Sequence, residues 1–254
     1  MDSKLAETLI GCAGWAIPPV ARHEFPSEGC SLQRYAARFS AVEINSSFYR
    51  PHKPATYARW AATVPPTFKF AVKVPKAITH VRRLVEVETL LQEFISQVSC
   101  LGNKLGCLLV QLPPTLGYSV AAEAFFQELR RQFAGAVVLE PRNHEWFAPS
   151  VESVLTTYRI SRAAADPAIQ SPACEPGGWS GLTYYRLHGS PRLYFSSYSA
   201  PYIASLAKKL HAHSRAGTAP WCTFDNTALG EATLNALNLQ RLSDARQGVV
   251  PSLA

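Results

Sequence analysis

The feature that most constrains this 254-residue chain is a series of short apolar runs, each of which breaks abruptly into polar residues. The clearest is Val137-Val138-Leu139, which follows Gly135-Ala136 and ends in Glu140-Pro141-Arg142-Asn143-His144-Glu145-Trp146-Phe147. A run of this length reads as a fully buried strand, here one that opens into a polar cup. The pattern recurs at Thr8–Ala13, Ala41–Asn45, Phe68–Val74, Gly106–Leu112, Arg159–Asp166, Leu182–Gly189 and Trp221–Asn226. Between or after these runs, helical patterns occupy Leu32–Phe39, Thr56–Ala62, Val87–Leu101, Val120–Gln132, Val151–Tyr158, Tyr202–His213 and Ala232–Leu242. Strands therefore start roughly every 30 residues, about the length of one βαβ unit.

Eight strands alternating with helices predict an α/β fold, a single (β/α)8 TIM-like barrel, for which roughly 250 residues is a typical length. The competing arrangement, a doubly wound open sheet, would need an unusually wide sheet. No Ser/Gly-rich linker divides the chain, although Gln170 to Gly181, with Pro172 and Pro176, reads as a loop. One domain is expected over residues 1–242, with 243–254 a flexible C-terminal tail.

Hydrophobic residues make up 47% and charged residues 17%, a globular balance with ample core material. The net charge of +7 favours anionic partners through long-range steering. A small anionic or phosphorylated substrate fits it, and nucleic acid is the alternative partner. The positive charge is not gathered into a tail or a run, which weakens nonspecific nucleic-acid binding. Six cysteines without a CxxC pair read as buried reduced thiols of a cytosolic protein. The N-terminus lacks a signal-peptide core, and no stretch approaches the roughly 20 apolar residues of a membrane span. The expectation is a cytoplasmic protein without membrane contact; oligomeric state is not written in these features.

Polar side chains cluster where strands end, the position at which parallel α/β folds build their sites. Glu43 and Asn45, Glu140 and Arg142, and Arg186 and His188 are i, i+2 pairs, so each pair shares one face of its strand. Lys73, Gln111, Asp166, Asp225 and Asn226 end other strands. Glu43, Glu140, His188 and Asp225 are the candidate catalytic residues. His188 is the favoured acid–base group because imidazole titrates near neutrality, whereas a neighbouring Arg142 suits Glu140 better as an anchor than as a proton donor. Lys73, Arg142 and Arg186 form a candidate anion clamp; their competing role is to neutralise Glu43, Glu140 and Asp225. Asn45, Gln111 and Asn226 offer amide contacts, His80 reaches over from the loop after the third strand, and Trp15 and Tyr49 are candidate stacking surfaces. Glu43, Glu140, His188 and Asp225 could also supply N/O ligands to a divalent metal, but no HExxH pair is present. No nucleotide-cofactor or serine-hydrolase motif is present, so no cofactor is assigned.

The ordered blocks Gly11-Cys12-Ala13-Gly14-Trp15, Val42-Glu43-Ile44-Asn45-Ser46-Ser47-Phe48-Tyr49, Phe68-Lys69-Phe70-Ala71-Val72-Lys73, Ile78-Thr79-His80, Gln111-Leu112-Pro113-Pro114, Glu140-Pro141-Arg142, Tyr185-Arg186-Leu187-His188-Gly189 and Phe224-Asp225-Asn226-Thr227 together resemble the YecE-like family, domain of unknown function 72. The resemblance runs from about residue 9 to residue 242. It implies a β/α barrel similar to those of xylose isomerases and apurinic-site endonucleases, and implies no settled reaction. Where that family usually has Glu-x-Arg-His followed by Pro, this chain reads Glu140-Pro141-Arg142-Asn143-His144, so its histidine is displaced by one position. The leading expectation is an enzyme that hydrolyses a phosphoester. A sugar-phosphate isomerase or lyase and a noncatalytic nucleic-acid-binding barrel are the alternatives.

Overall fold

A computed structural model describes residues 6–247. Parallel strands form at the predicted runs: β1 (Leu9–Cys12), β2 (Ala41–Ile44), β3 (Lys69–Lys73), β4 (Leu105–Gln111), β5 (Ala136–Glu140), β6 (Ile160–Arg162), β7 (Ala164–Asp166), then β9 (Thr183–Leu187) and β10 (Pro220–Phe224). The two-residue β8 (Gly177–Gly178) joins them antiparallel to β6. Helices alternate with the strands: α1 (Ser31–Ala36), α2 (Pro54–Thr63), α3 (Glu88–Val98), α4 (Val120–Gln132), α5 (Pro149–Thr157), α6 (Ala200–Arg215) and α7 (Glu231–Gln247). Proline within the first turn starts α2, α5 and α6, where its missing N–H has no helical partner to lose. After β7 the repeat lapses, and a 3-10 turn at Ser171–Cys174 replaces a helix.

The fold is mixed α/β with parallel sheets. Strand pairing divides it into a sheet ordered β1-β10-β9-β7 and another ordered β2-β3-β4-β5-β6-β8, so the single continuous barrel ladder expected from the sequence is not what the hydrogen bonds form. The sheets meet at a lone parallel bridge between Ala13 and Glu43, where Gly14 N donates to Glu43 O at 2.9 Å. On the other side only Ala163 separates β6, which pairs with β5, from β7, which pairs with β9.

Strands buried on both faces explain why the sequence shows continuous apolar runs rather than alternation. One set of side chains, including Val42, Phe70, Val72, Leu108, Val110, Leu139, Tyr185 and Phe224, packs into the large cluster that includes the helices. The alternate set forms a second cluster drawn from both sheets: Ala41, Ala71, Cys107, Leu109, Val138, Ala163, Tyr184 and Trp221. Two residues further along the same strands stand Glu43, Lys73, Gln111, Glu140, Arg186 and Thr223, so the apolar inner cluster carries a polar layer at the strand ends.

Several expectations shift in detail. Helix α7 extends through Ser243–Gln247, past the predicted end at Leu242; the remainder of the predicted tail lies outside the described residues. Cys12, Cys107 and Cys222 are buried, but Cys30, Cys100 and Cys174 are exposed, because only the first three sit on strands. Among the described residues no helix is long and apolar enough to cross a membrane.

Gly106 sets the closeness of the inner packing. A Cβ built there would lie 2.5 Å from the Trp221 ring, which stacks on Tyr184 with centroids 5.7 Å apart. Gly106→Ala is expected to cost about 1–3 kcal/mol through overpacking, measured by chemical denaturation. Trp221→Phe in the same chain should recover part of that loss.

Candidate active site

Arg186 is the centre of the polar layer. It projects from β9 with 0% exposure, and burial of a guanidinium is tolerable only when its donors are met by charge. Its Nε and Nη2 grip Glu43 Oε2 and Oε1 at 2.9 and 2.7 Å in bidentate fashion. Nη1 donates to Glu140 Oε2 at 3.1 Å, and Nη2 lies 2.9 Å from Asp225 Oδ2. Three carboxylates from β2, β5 and the end of β10 thus converge on one cation. The Glu43 Oε2 atom also accepts from the buried Tyr184 hydroxyl at 3.2 Å, which in turn lies 2.9 Å from Thr223 Oγ1.

His188 occupies the next layer out, 2% exposed. Its Nε2 lies 2.8 Å from Glu140 Oε1 and its Nδ1 3.0 Å from Asp225 Oδ2. The two carboxylate oxygens favour a protonated ring, while Arg142 Nη2 approaches the same Nε2 at 3.0 Å. Burial opposes that charge, but Glu140 and the hydrogen bonds to both carboxylates outweigh it and raise the pKa above the ordinary histidine value. Burial likewise works against Glu140 and Asp225, yet Arg186 and His188 hold both carboxyls below their usual range. Glu140 Oε1 additionally receives Gln111 Nε2 at 3.1 Å and Arg142 Nε at 3.1 Å. A carboxylate with that many donors is an anchor.

Lys73 differs from the other cations. It is 6% exposed at the end of β3, and among the described residues its amine has neither an ion pair nor a hydrogen bond. Its Nζ sits instead 4.1 Å from the centroid of the Phe48 ring. Burial, followed by repulsion from Arg186, lowers its pKa to about 8. Phe48 packs edge-on against His80, centroids 4.9 Å apart. Both rings belong to turns, Ser46–Phe48 and Ala77–Val81, and Ser47 Oγ ties the first to β3 by donating to Lys73 O at 2.6 Å.

Two openings border this cluster. A cavity of about 430 Å³ is lined by Trp15, Glu43, Asn45 and Ser46, among others. A second, of about 190 Å³, is lined by Glu140, Arg142, Ala165, Ile169, His188 and Leu193. Arg142, with a side chain 21% exposed, is the cation that reaches the second opening. Among the described residues Asn45 Oδ1 is buried without a partner. The carboxylates that the sequence offered as metal ligands face the Arg186 guanidinium, and among the described residues no group of three or more His, Cys, Asp and Glu is arranged to hold an ion.

Of the sequence candidates, Glu43, Glu140, His188, Asp225, Gln111, Arg142 and Arg186 form one contiguous network, with Lys73 and His80 against it. The structure gives Arg186 to the carboxylates, the neutralising role weighed against the clamp, because all its partnered nitrogens face acids. Asn226 is drawn into the fold by donating to Ser196 O and Asn235 Oδ1, both at 2.9 Å. Tyr49 is 70% exposed beside Lys76 and lines a separate cavity. Trp15 packs edge-on against Trp60, centroids 5.0 Å apart. Asp166 accepts from Tyr198 at 2.9 Å and stands outside the network. Gly189, expected to let substrate approach the backbone, is instead closed off by Ser196 O, 2.8 Å from where a Cβ would stand. His144, the displaced histidine, is exposed at the start of a 3-10 turn. Tyr184 was missed; its i, i+2 spacing to Arg186 was the available signal.

Arg186→Met would remove the guanidinium that three buried carboxylates share and is expected to cost about 3–5 kcal/mol. Glu140 and Asp225 would lose the guanidinium that does most to hold them below their usual range, so the folded variant would bind more protons than the folded wild-type chain. Its deficit should therefore shrink as the pH falls from 7 towards 5, read by denaturant unfolding at each pH.

Residues 9–253 match the family described as Protein of unknown function DUF72. Over 145 residues the chain is 32% identical to YecE of Escherichia coli (strain K12), covering 56% of this chain and 51% of that protein, so the match spans about half the length of this curated relative. A crystal structure of a DUF72 family protein from Enterococcus faecalis V583 superposes with a TM-score of 0.80 at 21% identity, over 93% of this chain and 95% of the other. Another, from Thermotoga maritima MSB8, gives 0.77 at 21% identity over 93% and 98%. These structural likenesses concern the fold. Because the family match spans every strand that carries the polar layer, the chain belongs to the DUF72 family.

Proposed function

We propose that the polar layer is the active site of an enzyme that moves protons on a small anionic substrate, an isomerase or lyase. The observation that carries this reading is the His188 ring set between Glu140 and Asp225, two carboxylates that favour its protonated form. An imidazolium is a proton donor. Lys73, with a pKa lowered to about 8, supplies the contrasting group whose lone pair becomes available near neutrality. Two neighbouring groups displaced in opposite senses are the usual mark of an acid and its basic partner. Arg142 at the second opening faces the substrate's anionic end.

Phosphoester hydrolysis is less well supported by this geometry. Glu43 accepts from Arg186 twice and from Tyr184, which suits an anchor better than a base for water, while Arg186 is engaged by acids rather than open to phosphate. The same reading treats the two sheets as one eight-stranded barrel with its mouth at the polar layer. Supporting it are the Ala13–Glu43 bridge at one seam, the single residue Ala163 at the other, and an inner cluster shared by both sheets.

The test is solvent deuterium incorporation. A panel of sugar phosphates and hydroxy or keto acids incubated with the protein in D2O should include one that gains deuterium beside its carbonyl, detected by NMR. His188→Gln should slow that exchange by roughly 10²–10⁴-fold. Turnover of a phosphodiester with no exchange on any carbonyl compound would overturn the assignment.

A further inference from the structure

Among the described residues Lys73 is the one cation of the site without an ion pair, although Glu43, Glu140 and Asp225 all lie close enough to act on it through space. Arg186 takes those acids by bidentate and shared hydrogen bonds, which a point-charge ammonium cannot match. The amine is left against an aromatic ring, desolvated and next to another cation, the two conditions that make a lysine nucleophilic. Its backbone is pinned by Ser47 and it stands at the end of a strand, so the nitrogen is held on a rigid element. The same polar layer supplies a proton donor in His188 at the second opening and, at the first, Asn45 Oδ1, a buried acceptor without a partner among the described residues that a substrate hydroxyl would satisfy.

We propose that Lys73 is a covalent site, forming an imine with a small hydroxylated carbonyl compound that carries a phosphate or carboxylate; the anionic end and the donor rest on the reading of the site given above. The neutral amine adds its lone pair to the carbonyl carbon, and the carbonyl electrons pass to oxygen, which takes a proton from His188. The adduct's nitrogen then carries two protons: one returns to His188 and passes from it to the departing hydroxyl, so that water leaves as the C=N bond forms, and loss of the second to His188 gives the neutral imine and restores the histidine. The net change is one amine and one carbonyl to one imine and one water, with no oxidant or reductant. The imine can accept electrons from an adjacent C–H or C–C bond, which is the chemistry an isomerase or lyase needs.

Borohydride reduction in the presence of glyceraldehyde 3-phosphate, followed by peptide mass spectrometry, tests this on the intact protein. At pH 7 the wild-type chain should carry its adduct on Lys73 at least tenfold over the surface residues Lys53 and Lys76, with a labelling rate that rises through about pH 8. Lys73→Arg, which keeps the charge, should lose that adduct while retaining phosphate-ester binding. Adducts spread over Lys53 and Lys76 with Lys73 unmodified would overturn the proposal, and the comparison within one wild-type chain needs no variant to fold. Glyceraldehyde without phosphate, and Arg142→Gln, separate the two readings. If Lys73 is unlabelled but the phosphate ester still binds at Arg142, the imine fails and the anion site stands. If Lys73 is labelled equally with both aldehydes, and Arg142→Gln makes no difference, the imine stands and the anion site fails.

Discussion

The structure of the site depends on one fully buried guanidinium. Removing a cation from water is expensive, and Arg186 is tolerated because Glu43, Glu140 and Asp225 meet it from three different strand ends. Those contacts join side chains separated by up to 143 residues in sequence and draw from both sheets. The polar layer is thus more than an ornament on an apolar core; it helps fix how the two sheets meet.

The electrostatic consequences run outward from that ion cluster. Because Glu140 and Asp225 remain ionised, they can hold His188 as an imidazolium. Because Arg186 takes the acids, Lys73 is left without a counter-ion, and burial and repulsion act on it together. A single placement of charge therefore separates the histidine and lysine in opposite directions. Trp221, Tyr184 and the other apolar side chains below keep water from the underside of the layer, where its low dielectric strengthens every one of these interactions.

Much of this was legible residue by residue. The apolar runs located the strands to within a few positions, since a strand buried on both faces has to be apolar along its length. Period-2 alternation paired Glu140 with Arg142 and Arg186 with His188 on common faces. It also covered Tyr184, whose aromatic ring reads as core until its hydroxyl is seen against Glu43. The helix missing after β7 was harder to foresee, because Gln170–Gly181 shows only that the chain turns, and not that a 3-10 turn and a two-residue antiparallel strand would take a helix's place.

The sequence by itself determined the α/β class, the strand positions and the set of polar residues at the strand ends, because periodicity and strand direction are local properties. Only the tertiary structure decided what those residues are for one another. Arg186 and Lys73 are both cations ending strands, and no local pattern distinguishes the one that binds three carboxylates from the one that binds none. That difference arises from which side chains meet across the sheets, where reach, bidentate geometry and desolvation allot the acids to the arginine and leave the lysine amine against Phe48.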